Sequence, residues 1–292
     1  VKNYETDLTN LDKTDAIFRE NKIKGIIHFA AFKAVGESVK SPVPYYKNNL
    51  ESLMNLLLCC EKYEINNFIF SSSCTVYGEP EILPVSESSP ILPAESPYGN
   101  TKQIGEEIIR DFCKAHPRFK AISLRYFNPV GAHQSGLIGE LPNGIPNNLV
   151  PFITQTAIGL RKKLTVFGND YNTRDGSNIR DYIHVSDIAH AHTLAMQKLL
   201  KSEQKQGFDI YNLGTGNGVS VLEVIKAFEE ATGEKLNYTI GPRRSGDVVA
   251  VYADRKKAND ELGWFPSHSL KDMMLSAWKW EQKLNAERKG VN

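Results

Sequence analysis

The chain is expected to fold as a layered α/β protein built on a parallel sheet, and three observations predict this. First, short apolar runs recur at Gly25-Ile26-Ile27-His28-Phe29-Ala30-Ala31, at Asn67-Phe68-Ile69-Phe70-Ser71-Ser72-Ser73 and over residues 120–127. Second, stretches long enough for a helix separate them, which forces parallel pairing. Third, each run becomes polar or small at its carboxyl end: His28 to Ala31, Ser71 to Ser73 and Tyr126 to Asn128. Ligands of open parallel sheets gather outside those ends, so the three tips should line one crevice.

The elements follow in order. A helix is expected over 46–63 and, after a proline-rich connection at 79–97, another from 98 to about 113, where Ile104, Ile108, Ile109 and Phe112 recur at a helical period. Strand 120–127 runs into Asn128-Pro129, where the proline should stop regular pairing. Residues 131–148 are loop-like, rich in Gly, Pro and Asn. A helical run through Arg161, a strand at 164–167, a loop at 168–180 and the segment Asp181-Tyr182-Ile183-His184-Val185 come next. Strand 208–213 leads through Gly214-Thr215-Gly216-Asn217-Gly218 to a helix opened by the capping box Ser220-Val221-Leu222-Glu223. Val221, Val224, Ile225 and Phe228 mark its apolar face, and Gly233 its stop. Residues 254–280 hold two more short helices.

Composition narrows the function. The 292 residues are 41% hydrophobic and 24% charged, with 35 Lys and Arg against 34 Asp and Glu. That near-neutral balance, with no basic tract, argues against nucleic acid or an anionic membrane as main partner. Cys59, Cys60, Cys74 and Cys113 form no CxxC pair and read as buried free thiols. With no 18-residue apolar stretch and no secretory leader, the expected location is the cytoplasm.

The chemistry concentrates in Ser73 and Tyr98-Gly99-Asn100-Thr101-Lys102. If Tyr98 opens a helix, Lys102 shares its face one turn on. An ammonium beside a phenol favours the phenolate and lowers the tyrosine pKa from about 10, making Tyr98 a base near neutral pH. Ser73, at the neighbouring strand end, can orient a substrate hydroxyl. A Tyr-x-x-x-Lys pair alone is weak, since chance makes it common. The preceding apolar strand with its serine triplet strengthens it. His28, His184, His190 and His192 read as structural, and His190 and His192 share no helix face, so no metal site is expected. The Gly214 to Gly218 run misses the GxGxxG spacing and reads as a turn.

These motifs resemble the UDP-glucose 4-epimerase family of extended short-chain dehydrogenases. The likeness extends from about Tyr4 to Trp280. It includes Phe70-Ser71-Ser72-Ser73-Cys74-Thr75-Val76-Tyr77-Gly78, Ser96-Pro97-Tyr98, Leu124-Arg125-Tyr126-Phe127-Asn128-Pro129, Gly144-Ile145-Pro146-Asn147-Asn148-Leu149, Arg180-Asp181-Tyr182-Ile183-His184-Val185 and Arg243-Arg244-Ser245-Gly246-Asp247. The resemblance implies a Rossmann-like parallel sheet with a smaller C-terminal substrate-binding domain. Residues 1–130 would be the NAD-binding domain, and 131–292 mainly the substrate domain, with 181–232 returning partly to the first. It implies oxidation and re-reduction at C4 of a UDP-hexose, with tightly bound NAD cycling within each turnover.

By the same resemblance the catalytic residues are Ser73, Tyr98 and Lys102. Asp7, Leu8, Phe29, Ala30, Lys33, Asn48 and Tyr126 join Tyr98 and Lys102 along NAD. Asn128, Asn148, Leu149, Phe167, Arg180, Tyr182, Arg244 and Asp247 join Ser73 around the nucleotide sugar, with both arginines as diphosphate donors. Val251 stands at the sugar pocket wall, where a small side chain would admit an N-acetyl group. Ala31 and Cys74 depart from the family's usual Gly and Ala. A 4,6-dehydratase is the alternative, but Cys74 and Thr75 after Ser73 supply no acid. A non-catalytic binder of nucleotide sugar is the other. A homodimer is implied through the helices at 48–63 and 98–113, with Leu53, Leu57, Ile104 and Ile108 divided between sheet and partner. The family's opening strand and glycine-rich turn have no counterpart upstream of Gly25, so the expectation is an N-terminally truncated fold that binds NAD poorly by itself.

Overall fold

The computed structural model describes residues 1–142, 144–244 and 247–290. Helix α1 (Leu11–Glu20) is capped by Asn10, whose side chain accepts from the Lys13 N–H. Strand β1 (Ile26–His28), helices α2 (Val35–Lys40) and α3 (Pro42–Lys62), strand β2 (Asn67–Ser73), helix α4 (Pro97–Ala115) and strand β3 (Lys120–Tyr126) follow. Helices α3 and α4 both carry proline in their first turn, where its missing N–H is no loss. The chain continues as β4 (Asn128–Val130), α5 (Leu149–Ala157), β5 (Leu164–Phe167), β6 (Ile179–Arg180), β7 (Tyr182–His184), α6 (Val185–Leu200) and β8 (Phe208–Leu213). Then come β9 (Val219–Ser220), α7 (Val221–Thr232), β10 (Tyr238–Gly241), β11 (Ala250–Val251), α8 (Lys256–Leu262) and α9 (Leu270–Arg288).

The central sheet has the order β1-β2-β3-β8, and every pair in it is parallel. Its residues Phe68, Ile69, Ala121, Ile122 and Leu124 are fully buried because both faces are covered. Leu53, Leu56 and Ile109 from α3 and α4 pack with Phe68, Phe70 and Phe119 on one face. Ile188, Ala191 and Ala195 of α6, with Trp264, pack against Ile69, Ile122 and Leu124 on the other. Each buried aliphatic or aromatic side chain contributes about 1.5–3 kcal/mol over its exposed state. A separate core joins α5, α7 and α9 through Val150, Ile153, Phe228 and Trp278.

Several boundaries differ from expectation. Strand β1 stops at His28, leaving Phe29 and Ala30 exposed in the loop at its carboxyl end. Pro129 does not end pairing but lies inside β4, which pairs in parallel with β7. The chain changes partner there: the Asn128 N–H donates to the Asp181 carbonyl at 2.9 Å. A two-stranded pair has free edges, where a residue without an N–H is tolerated. Helix α5 ends at Ala157, before a left-handed Gly159 with φ +85°. Helices α2 and α6 went unread because both lie against motifs whose function masked their periodicity. The capping box of α7 is present, as is the left-handed Gly233 that ends it.

Candidate active site

Helix α4 builds the centre. Ser96 caps it by accepting from the Gly99 N–H at 3.1 Å, and Tyr98 N–H donates to the Ser38 hydroxyl of α2. Tyr98, Lys102 and Ser73 are 9%, 4% and 7% exposed, gathered where β2 ends. The Lys102 ammonium donates to the Ser71 carbonyl at 2.7 Å and lies 4.8 Å from the centre of the Phe70 ring. Ser73 accepts from the Thr75 N–H at 3.2 Å, starting a tight turn over Cys74–Tyr77.

Electrostatics here differ from the expected pattern. Burial, and then Tyr126, push the Tyr98 phenol above its ordinary value, while a side-chain hydrogen bond with Ser73 pulls it down. The upward direction is opposite to the one expected from Lys102. Its Nζ is 5.8 Å from the centre of the Tyr98 ring and is committed to the Ser71 carbonyl. Burial lowers Lys102 itself to about 8, against the upward pull of Glu106.

On the proposed cofactor side, Phe29, Ala30 and Lys33 are exposed beyond β1, and Phe29 packs on His192 with ring centres 4.4 Å apart. Tyr126 ends β3 half-buried. Asn48 of α3 bonds Asn49 at 3.0 Å. Asp7 accepts from the Thr9 N–H and hydroxyl, which hold its carboxyl below the usual range. The Leu8 carbonyl accepts from Asn55 at 2.9 Å. Asn49 went unread, yet it clamps the loop after β1 through both Phe32 backbone groups and bonds Thr101 of α4.

On the substrate side, Arg244 bonds Asp247 through two nitrogens at 2.8 and 3.2 Å, and Arg180 lies 3.8 Å from the same carboxylate. Asp247, expected around the nucleotide sugar, is thus engaged by both arginines. Arg244 also stands 5.6 Å from the centre of the exposed Phe167 ring. Ser245 and Gly246, from the same motif, lie outside the described residues. Asn148 precedes Leu149 at the start of α5 and donates to Glu140 at 2.8 Å, and Lys33 reaches that same carboxylate at 3.2 Å. Asn128 opens β4 opposite Tyr182 in register, and Tyr182 is buried. Val251 pairs with Arg180 but is only 5% exposed, packed with Cys74, Val76, Tyr77 and Phe127. That cluster closes its side chain in, leaving no open room around it.

Asp181 is the main residue that sequence reasoning missed. Its side chain is fully buried and accepts from Thr215 N–H at 2.8 Å, Thr215 hydroxyl at 2.6 Å, and Gly216 and Ala253 N–H at 3.1 Å. Burial pushes its carboxyl up against all four donors. A Cβ on Gly214 would stand 2.3 Å from this carboxylate, so the glycine run is shaped to it. Among the described residues no group of His, Cys, Asp and Glu is arranged to hold a metal ion, and no helix is long and apolar enough to cross a membrane.

The GDP-mannose 4,6 dehydratase family profile matches residues 1–276. The UDP-glucose 4-epimerase of Drosophila melanogaster is 49% identical over 283 residues, covering 97% of this chain and 81% of that protein. That of Bacillus subtilis is 50% identical over 278 residues, 95% and 81% respectively. The Bifidobacterium longum UDP-glucose 4-epimerase, solved in complex with NAD+ and UDP, superposes with TM-score 0.92 at 48% identity, covering 97% of this chain and 83% of that one. The Campylobacter jejuni UDP-Glc/GlcNAc 4-epimerase gives TM-score 0.81 at 38% identity, covering 96% and 84%. Sequence and a parallel Rossmann-like sheet are thus shared over most of the length of these enzymes, and the chain belongs to the GDP-mannose 4,6 dehydratase family of extended short-chain dehydrogenases and, within it, to the UDP-glucose 4-epimerases.

Proposed function

We propose that this protein interconverts UDP-glucose and UDP-galactose at C4 through a 4-keto sugar, with NAD retained between turnovers. The observation that carries this is the burial of Ser73, Tyr98 and Lys102 together at the carboxyl end of β2. NAD, held along Asp7, Leu8, Phe29, Ala30, Lys33, Asn48, Lys102 and Tyr126, would accept and return hydride at C4 and add positive charge near the phenol. The tips of β1 and β3 fit that role, being exposed or half-buried apolar and aromatic surface beside Lys102. The C4 hydroxyl proton moves to the Tyr98 oxygen, which must be ionised at that moment, and comes back from it when the sugar is reduced on its other face. Ser73 orients that hydroxyl.

Two guanidiniums on one carboxylate leave the Arg180, Asp247 and Arg244 group with a net positive charge, which suits a diphosphate. Phe167 and Leu149 offer apolar contact for uracil, with Asn128, Asn148 and Tyr182 around the nucleotide sugar. A dehydratase would need a free carboxyl beside Ser73. Asp181 acts on Cys74 from nearby, but its oxygens are taken by four donors. Incubating the protein with UDP-galactose and NAD should yield UDP-glucose by chromatography. A 4-keto-6-deoxy product, or no product at saturating NAD, would overturn the reading.

The finer assignments belong to the same proposal. N-acetylated UDP-hexoses would enter past Val251 only if its packed cluster gives way. A homodimer would form through α3 and α4. There Leu53 and Leu57 are buried, so the partner face is Met54 and Leu58, both more than two-fifths exposed, with half-buried Ile104 and Ile108. Sedimentation as a monomer at micromolar concentration would refute it. The cytoplasm is the proposed location.

A further inference from the structure

Tyr98, Lys102 and Glu106 are spaced four residues apart along α4, and all three are buried. Side chains at that spacing stack along one helix face. The first two belong to the proposed chemistry. The third touches no residue assigned to ligand, yet it is the most heavily bonded carboxylate on that helix.

Glu106 accepts from Ser72 at 2.7 Å, from Ser123 at 2.8 Å, and from Arg125 through two nitrogens at 2.9 and 2.5 Å. These donors come from β2 and β3, so one carboxylate fixes α4 against two strands. Ser72 lies next to Ser71, whose carbonyl holds the Lys102 ammonium. Bonds from Arg125, Ser72 and Ser123 keep the Glu106 carboxyl well below its ordinary range in spite of full burial. It is therefore a charged group inside the sheet–helix layer, one turn from Lys102.

Lys102 faces few compensating charges. On α4 stand Tyr98 and Glu106; on β2, the Phe70 ring and Ser71 carbonyl; on β3, Tyr126 and Arg125. From β1 comes His28, which burial and Lys102 together hold down to about 3, so it is neutral. From α6 comes His192, bonded to the Ser71 hydroxyl at 3.2 Å. Tyr45 is the ionisable group of α3 that acts on Tyr98. Among these groups Glu106 alone carries a negative charge.

We infer that Glu106 is a positioning residue for the Tyr98–Lys102 pair, locking the face of α4 onto β2 and β3 and holding the Lys102 ammonium in its charged form. The inference rests on the proposed roles of Tyr98 and Lys102 for its functional meaning, but the charge on Lys102 can be read without turnover. Lys102 meets almost no solvent, and burial has already brought it down to about 8. Losing a nearby opposite charge shifts a titration by about one unit or more. The amine would then be neutral over much of the working pH range.

The test is the titration of Lys102, followed by NMR of protein with 13C-labelled lysine and assigned with Lys102→Arg. In Glu106→Gln the midpoint should fall by about one pH unit. That variant leaves Arg125 unpaired and buried, which is destabilising and itself repels Lys102. Glu106→Gln/Arg125→Met removes both charges and leaves neither unpaired. The downward shift should be smaller there, because a repelling charge leaves with the attracting one, but it should persist since Glu106 stands on the helix face of Lys102 itself, and the alkaline limb of turnover should move down with it. A Lys102 midpoint equal to wild type in both variants overturns the inference, whatever happens to turnover. Loss of the proposed function would show separately, as unchanged turnover in Tyr98→Phe.

Discussion

Replacing Asp181 by alanine strips the acceptor from three backbone N–H groups and one hydroxyl. Ala253 N–H is fully buried, and without a partner it should cost about 2 kcal/mol. The Thr215 and Gly216 groups are only partly buried and can find water, so each should cost about 0.5–1 kcal/mol. Removing a carboxylate whose own burial is unfavourable returns part of this. The balance is on the order of 3 kcal/mol of stability. Asp181→Asn keeps one acceptor oxygen and should lose about half as much. Urea unfolding at pH 7, followed by circular dichroism, measures both. Because β11 lies next to Arg180, the KM for the UDP-sugar should rise more than kcat falls. Gly214→Ala drives a methyl into the same carboxylate and should destabilise in parallel. A loss below about 1 kcal/mol in Asp181→Ala, or equal losses for alanine and asparagine, would refute this account of the turn.

Other expectations follow from the same structure. Tyr98→Phe should reduce kcat by about 100-fold or more while leaving UDP-sugar affinity within a few-fold, since the phenolic oxygen acts in the transition state; calorimetry and a coupled assay separate the two. His28 is held at about 3, below its unfolded value of 6.5, so the unfolded chain alone takes up its proton as pH drops through that window. Stability should therefore fall by about 1.4 kcal/mol per pH unit on this account. His28→Phe, packed between Phe68 and Phe70, should show a shallower slope in urea midpoints between pH 6.5 and 4.5; identical slopes contradict the assignment. Val251→Tyr forces a large ring into a packed cluster and should cost about 1–3 kcal/mol. Any turnover of N-acetylated substrates that the wild type shows should be lost before that of plain hexoses, as competing-substrate assays would read.

The elements that were legible are those whose signal is local. Strands β2, β5 and β8 are short apolar runs with clear ends, and α7 carries its own cap and stop. The grouping of Ser73, Tyr98 and Lys102 was legible because a helix start and a strand end each bear their own polar residue. Helix α6 was hidden because its cap, His184 accepting from Ser186 N–H, lies inside the Arg-Asp-Tyr-Ile-His motif. The target of Lys102 lies 31 residues upstream in β2, and Asp181 meets Ala253 across 72 residues. No periodicity or spacing rule encodes such a pairing. The Tyr98 pKa was misread for the same reason: its direction is set by burial, which exists only once the sheet and helices have assembled.

The order β1-β2-β3-β8 also decides when the protein can finish folding. One edge of β3 stays bare until Phe208 pairs beside Ala121, and α6, which covers a face of the same sheet, is itself made late. Everything between β3 and β8 must leave the ribosome first. During synthesis the strand Ile122 to Leu124 therefore waits with one edge unpaired, open to association with other chains. A pairing of such long sequence separation costs closure entropy before its contacts reward it, so the docking of β8 belongs to the late part of assembly, when a chaperone would matter most.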